Sequence, residues 1–271
     1  MANMFARLFR RAATPKPRPR STDGRLIYAI GDIHGRCDLL EQLLHLIDED
    51  ARAAGIKPVI ILLGDYVDRG PGSRQVLAKV ADLLAEPSRE VRALRGNHED
   101  MLCAFLDDYR TGPSWLDVGG GETLRAFGLT PALRSDEEGW QKLRDALADA
   151  IGRKGHDMLR ALEIIAIYGD YLFVHAGVRH DLPLDGQSVE DLLWIRHPAG
   201  SGDQPFEKMV VHGHTAAPAA FIGAHSVSVD TGAYATGVLS CARIMDDDIC
   251  FIQTRRRNHA ASDEVLRNYG T

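Results

Sequence analysis

Nowhere in the 271 residues does an apolar run approach the roughly 18 residues that a membrane-spanning helix needs, so a transmembrane protein is not expected. Cysteine is equally scarce. Cys37, Cys103, Cys241 and Cys250 are scattered, none forms a C-x-x-C pair, and this excludes both a disulfide framework and a thiolate zinc site. They are expected to be reduced core residues of a cytoplasmic protein. Positive charge is missing from the body of the chain. Residues 1–20 carry six Lys/Arg and no acid, so a net charge of −6 leaves −12 on residues 21–271. An acidic body without clustered cations excludes extended nucleic acid as the main ligand. What remains, 45% hydrophobic and 26% charged with 7% aromatic residues, is the composition of an ordinary globular protein. Its length allows one large α/β domain or two small ones.

Residues 1–11, MANMFARLFRR, lack the apolar core of a signal peptide, and Pro15, Pro17 and Pro19 follow. Residues 1–22 therefore read as a basic, proline-rich tail. The sharper alternative is a weak membrane-surface contact of residues 1–11. The folded domain is expected over 23–256, with a C-terminal tail at 257–271.

From Arg25 a pattern repeats three times: a short apolar run, a glycine turn, then a helical stretch. The runs RLIYAI, PVIILL and EVRAL lead into Gly31-Asp32, Gly64-Asp65 and Gly96-Asn97, with helices expected at 38–54, 73–85 and 98–109. Such alternation argues for βα units whose functional residues sit at the carboxyl ends of the strands. Residues 110–163 interrupt it with a Gly119-Gly120-Gly121 loop and helix-compatible sequence, expected to be a helical insertion. Strand signals return at 164–174, 208–212, 219–222, 226–230, 237–245 and 248–253, which implies a second, mixed sheet packed on the first.

The polar residues after these strands are Asp32 and His34, Asp65, Asp68-Arg69, Asn97-His98, His175 and His214. One D-x-H means little, because alternate residues leaving a strand share a face. Here every successive strand end offers another oxygen or nitrogen donor. Carboxylate, imidazole and amide without thiolate suit Mn²⁺, Fe or Zn²⁺. Six protein ligands exceed the needs of one open catalytic ion, whereas two divalent ions roughly 3.5–4 Å apart would use them all.

GDIHG (31–35), GDYVDRG (64–70), GNHE (96–99), FVHAG (173–177) and HGHT (212–215) resemble, in order, the motifs of the PPP family of metallophosphoesterases, in its bacterial and phage branch. DTGAYATG (230–237) resembles a later strand and loop of the bacterial members. The resemblance implies a calcineurin-like α/β architecture, two mixed sheets packed as a sandwich and flanked by helices. It implies that Asp32 and His34 hold the first metal, that Asp65 bridges both ions, and that Asn97, His175 and His214 complete the second site. Ala216 stands where relatives with a G-H-x-H ending carry a further metal-binding histidine.

Two divalent ions against two carboxylates leave a positive pocket that suits a phosphate-monoester dianion, and they would bring a bridging water toward hydroxide near neutral pH. An alkoxide leaving group needs a proton. His98, beside Asn97 but free of metal duty, is the expected general acid, with Asp68 keeping it protonated and oriented. Arg69 offers a planar fork for phosphoryl oxygens, and Arg196, in DLLWIR, resembles a second phosphate-binding arginine of the bacterial members. His212 is left outside the ligand set. His45, His156, His180, His197, His225 and His259 read as surface or packing residues.

The expected activity is that of a serine/threonine protein phosphatase, extending to phosphotyrosine, that works by in-line attack without a phosphoenzyme. The alternatives are a symmetrical diadenosine-tetraphosphate hydrolase, another small-molecule phosphoesterase, or an inactive scaffold. The tetraphosphate hydrolases typically depart from V-D-R-G at the Asp and read G-N-H-D, whereas this chain keeps Asp68 and Glu99. Substrate choice is expected to lie in 110–163 and 178–207.

Overall fold

A computed structural model describes residues 20–130, 136–197 and 203–254; the stretch 1–11 and the tail 257–271 lie outside the described residues. The first half runs β1 (Leu26–Ile30), α1 (Cys37–Ala54), β2 (Pro58–Leu62), α2 (Ser73–Ala85), β3 (Glu90–Ala93) and α3 (Asn97–Asp107). The helical insertion follows. It comprises a short 3₁₀ turn, α4 (Gly112–Trp115), a π turn at Leu116–Gly120, α5 (Gly121–Ala126) and α6 (Glu137–Ala161). The second half holds β4 (Ile165–Tyr168), β5 (Tyr171–Val174), α7 (Val189–Trp194), β6 (Met209–His212), β7 (Phe221–Ile222) and β8 (Ser226–Ser228). It ends with α8 (Ala233–Thr236), β9 (Ser240–Met245) and β10 (Asp248–Gln253).

Two five-stranded sheets result, ordered β10-β9-β1-β2-β3 and β4-β5-β6-β8-β7. Each has a parallel run: β1-β2-β3 reaches one edge of the first sheet, with β9 and β10 antiparallel on the other side, whereas β5-β6-β8 is central in the second, with β4 and β7 antiparallel at its two edges. The period-2 geometry of a strand sorts the apolar runs between two cores. Ile27, Ala29, Val59, Ile61 and Leu63 meet Tyr171, Phe173, Val211 and Val227 of the other sheet. Leu26, Tyr28, Ile30, Ile60 and Leu62 point the opposite way, under α1, α2 and α3. Both central strands of the first sheet are therefore apolar on both faces. Helix α1 buries Leu39, Leu40, Leu43, Leu44, Ile47 and Ala51 on one stripe and stops at Gly55, whose φ of 68° lets its N–H return to Ala51 and Arg52 carbonyls.

Several expectations need correction. The single run 164–174 is two antiparallel strands, because Gly169 at φ 56° turns the chain between them. The folded part begins earlier than residue 23: Thr22 is fully buried and its N–H and hydroxyl reach Asp246, while the Arg20 N–H reaches Asp247. Only Cys103 and Cys241 are core cysteines; Cys37 is half-buried and Cys250 exposed, since alternate residues of the marginal strand β10 face outward. No helix among the described residues is long and apolar enough to cross a membrane.

Phe173 is fully buried between the sheets. Its replacement by alanine removes the transfer energy of the ring and leaves a cavity, so Phe173→Ala should cost about 3–5 kcal/mol in urea unfolding. A loss under about 1 kcal/mol would mean that the sheets do not share this core.

Candidate metal centre

The parallel strands of both sheets deliver their carboxyl ends to one place. Asp32 and His34 follow β1, Asp65 follows β2, Asn97 follows β3, His175 follows β5 and His214 follows β6, and all six are buried. Asp65 lies at the middle: its Oδ2 is 3.3 Å from His34 Nε2 and its Oδ1 is 3.4 Å from His175 Nε2. Asn97 Oδ1 is 3.0 Å from both His175 Nε2 and His214 Nδ1. Two donor groups emerge, His34-Asp65-His98 and Asp65-His175-His214, with Asp65 common to both. Asp32 falls outside these two groups. Its carboxylate accepts the His214 backbone N–H at 3.0 and 3.2 Å.

The loops that make this convergence are strained. Seven non-glycine described residues have positive φ, and five of them are His34, Asp65, Asp68, Arg69 and His214. Each such residue costs on the order of 1 kcal/mol or more, so the surrounding structure must hold them in place. Glu99 supplies much of that hold. Its buried carboxylate accepts the backbone N–H groups of Asp65 (2.8 Å), Gly96 (3.0 Å), Tyr66 (2.7 Å) and Val67 (3.1 Å). Burial pushes its pKa up to about 7, opposed by the four N–H bonds. Gly96 is required where this cradle closes, because a Cβ there would run into the side chain and backbone of Asp65.

The imidazoles could serve as ligands. His34 Nδ1 faces the Val67 carbonyl at 2.8 Å and His175 Nδ1 faces the Leu63 carbonyl at 2.9 Å, which puts the proton on Nδ1 and the lone pair on Nε2. Burial lowers the pKa of His34 and takes His175 to about 3 and His214 to about 2, with neighbouring imidazoles adding to the effect. All three are neutral. At the centre, His175 Nε2, Asn97 Oδ1 and Asp65 Oδ1 are therefore acceptors facing one another, and His214 Nε2 is buried without a hydrogen-bond partner. Converging lone pairs of this kind fit divalent cations.

His98 donates from Nδ1 to Asp68 Oδ2 at 2.8 Å, and its Nε2, 3.8 Å from Asp65 Oδ2, has no hydrogen-bond partner. The pairing with Asp68 is the expected one. Burial lowers the His98 pKa to about 3, with the charges of Arg69 and Arg196 adding to the effect. Asp68 is itself raised to about 7 by burial, while Thr123 and Trp115 donate to its carboxylate. Arg69 sits at the mouth, its Nη1 3.1 Å from His34 Nε2 and its guanidinium 5.4 Å from the ring centre of Tyr234. Arg196 is exposed just beyond α7, within electrostatic reach of His98 and His214.

A family model described as calcineurin-like phosphoesterase matches residues 25–244. The chain belongs to the calcineurin-like phosphoesterase family. Within it, the chain is 37% identical over 98 residues to serine/threonine-protein phosphatase 2 of Escherichia coli (strain K12), a match that covers 35% of this chain and spans only 39% of that protein. It is 28% identical over 273 residues to the symmetrical bis(5'-nucleosyl)-tetraphosphatase of Chromobacterium violaceum, covering 82% of this chain and 93% of the relative. A solved structure with a provisional diadenosine-tetraphosphatase name superposes with a TM-score of 0.60 at 18% identity, over 87% of this chain and 96% of the other, so the fold is shared.

Four residues around this phosphoesterase site were given no place in it by the motif reading, although Glu99 and Asp230 lie inside quoted motifs. Asp230 is buried at the end of β8, its carboxylate accepting the Gly232 N–H and paired with Asp32; the strand-end rule that found the others would have found it. Glu99 occupies the third position of α3, where a Glu after a turn signals a capping box. Trp115 and Thr123, on the insertion, carry no local signal.

Glu99→Gln presents an amide N–H₂ to two of the four donors. The expected loss is about 1–3 kcal/mol for each N–H left unpaired, together with weaker Mn²⁺ binding, both read by thermal unfolding with and without the metal. Unchanged melting and unchanged metal stabilisation would refute the clamp. Burial raises Asp32 and Asp65 well above the usual carboxylate range, with Asp230 and Glu99 repulsion adding to each respectively. The metal-free protein therefore holds protons there that a divalent cation must expel, so Mn²⁺ affinity should rise with pH. Calorimetric titration in buffers of different ionisation enthalpy reads the release; identical heats would refute it.

Proposed function

We propose that this phosphoesterase hydrolyses phosphate monoesters, with phosphoserine and phosphothreonine of proteins as its substrate class and phosphotyrosine within reach. The observation that carries the reading is the His98-Asp68 pair, whose free Nε2 opens toward the metal-ligand cluster. An alkoxide is a poor leaving group and must be protonated as it departs, whereas a nucleotide phosphate leaving from a phosphoanhydride needs little such help. A buried acid pair is thus chemistry for esters.

In this reading Asp32, His34, Asp65, Asn97, His175 and His214 hold two divalent ions, and an oxygen and nitrogen donor set without sulfur fits Mn²⁺, with Fe or Zn²⁺ also suited. Such ions supply an activated water and neutralise phosphoryl charge. Arg69 and Arg196 orient the phosphoryl oxygens. Their two cations are also what lowers His98 beyond the effect of burial. A bound phosphate dianion opposes those two cations and so raises the His98 pKa, and the proton that Nε2 gives to the leaving oxygen is taken up from solvent as the substrate binds, while the attacking water supplies the oxygen of the new P–O bond. The ester P–O bond breaks, and the products are the alcohol and inorganic phosphate.

A second reading, symmetrical dinucleoside tetraphosphate hydrolysis, is favoured by the near full-length similarity to the relative from Chromobacterium violaceum. Turnover of phosphoserine, phosphothreonine and phosphotyrosine peptides beside diadenosine tetraphosphate, all with Mn²⁺, separates the two. The phosphopeptides should have the higher kcat/KM; the reverse order would replace the first reading with the second. His98→Ala should lose about 10²–10⁴ on an alkyl phosphate and much less on p-nitrophenyl phosphate.

A further inference from the structure

The helical insertion touches the strand-end loops at Asp68. Trp115, the last residue of α4, donates from Nε1 to Asp68 Oδ2 at 2.9 Å. Thr123, on α5, donates its hydroxyl to Asp68 Oδ1 at 2.6 Å and accepts the Asp68 backbone N–H at 2.9 Å. Ser73, at the start of α2, accepts the same N–H at 3.1 Å and lies 3.0 Å from the Thr123 hydroxyl. Trp115, Thr123, Ser73, Asp68 and His98 are all fully buried. Asp68 itself stands at φ 69°, so its carboxylate is presented from a backbone conformation that the residue does not favour unaided.

From these contacts we propose that Trp115 and Thr123 are positioning residues that orient His98 through Asp68. A carboxylate has two oxygens and rotates about χ2. With His98 as its only partner, that rotation would swing the imidazole. Trp115 and His98 share Oδ2 from different directions and Thr123 holds Oδ1, which leaves one orientation of the plane and hence one direction for His98 Nε2. The brace also has a fixed base. The Trp115 ring stacks on Phe105 of α3, centroids 5.0 Å apart, and α3 is the helix that begins with Asn97-His98. Gly120 closes the turn behind the indole, where a Cβ would collide with the ring. The insertion is thus part of the reaction site, although it lies outside every strand-end loop that supplies a metal ligand.

The proposal rests on His98 acting as leaving-group acid, and its test separates the two ideas. T123V removes the hydroxyl at nearly constant volume, T123S retains it, and W115F keeps an aromatic ring against Phe105 while deleting the N–H. In metal-free protein labelled with ¹⁵N-histidine, the hydrogen-bonded His98 Nδ1–H signal, identified by its loss in H98A, should be broadened or lost in T123V and W115F and kept in T123S. In the Mn²⁺ enzyme the ratio of kcat/KM on an alkyl phosphate to that on p-nitrophenyl phosphate should fall on the order of tenfold in T123V and W115F, part of the full acid contribution, and recover in T123S. Thermal melting identifies any variant that has lost its fold, and the two altered sites are independent of each other in that respect. An unchanged signal and an unchanged ratio in both folded variants would overturn the positioning role. If H98A itself leaves the ratio unchanged, the acid reading falls, and the Nδ1–H signal alone then decides the positioning role.

Discussion

The Glu99 carboxylate is the interaction on which the rest of the site depends. Three consecutive N–H groups, those of Asp65, Tyr66 and Val67, and a fourth from Gly96 converge on its two oxygens. These amides belong to the loops that follow two different parallel strands, so one side chain ties the ends of β2 and β3 together. Without that tie the left-handed backbone of Asp65 would relax, and Asp65 is the residue common to both donor groups. A buried carboxylate normally costs free energy. Here that cost is offset by four charge-assisted bonds that the backbone amides could not find elsewhere in the interior.

Around this clamp the centre is built against its own electrostatics. Asp32, Asp65 and Asp230 are crowded and buried, and burial lowers the pKa values of the imidazoles beside them, with carbonyls facing Nδ1 of His34 and His175. Divalent cations would supply the missing attraction. The protein contributes prepositioned donors whose strain has already been met by folding, which is why the folded core and the site cannot be discussed separately.

The sandwich sets the directions. In each sheet the parallel strands end on the same side, and the shared core of Ile27, Ile61, Phe173 and Val211 holds the two rows of strand ends side by side. The insertion then contacts the second aspartate of GDYVDRG, while Arg69 reaches His34 and Arg196 acts on the site through its charge. Structure and acid pair are joined through Asp68, which is neither on a regular strand nor among the two donor groups.

Strand ends and most element boundaries were legible in the sequence. A short apolar run ending near a glycine marks where a parallel strand stops, and the residues just past that point lie at the sheet's carboxyl edge, so the placement of Asp32, His34, Asp65, Asn97, His175 and His214 at strand ends could be read in order. The binding of Thr22 was not, since it depends on Asp246 far along the chain, and the split of 164–174 was hidden by the apolar residues on both sides of the Gly169 turn. The protonation of His98 also required the tertiary structure. The GDYVDRG and GNHE motifs suggest the His98-Asp68 pair, whereas the burial around it and the cations of Arg69 and Arg196, which lower the His98 pKa, come from the folded chain. Trp115 and Thr123 lie about fifty residues from Asp68 in an irregular helical segment, where no periodicity encodes a contact. Local pattern records what each segment must do with its own backbone. Which side chains then complete one another across the chain is a property of packing, and only the folded molecule decides it.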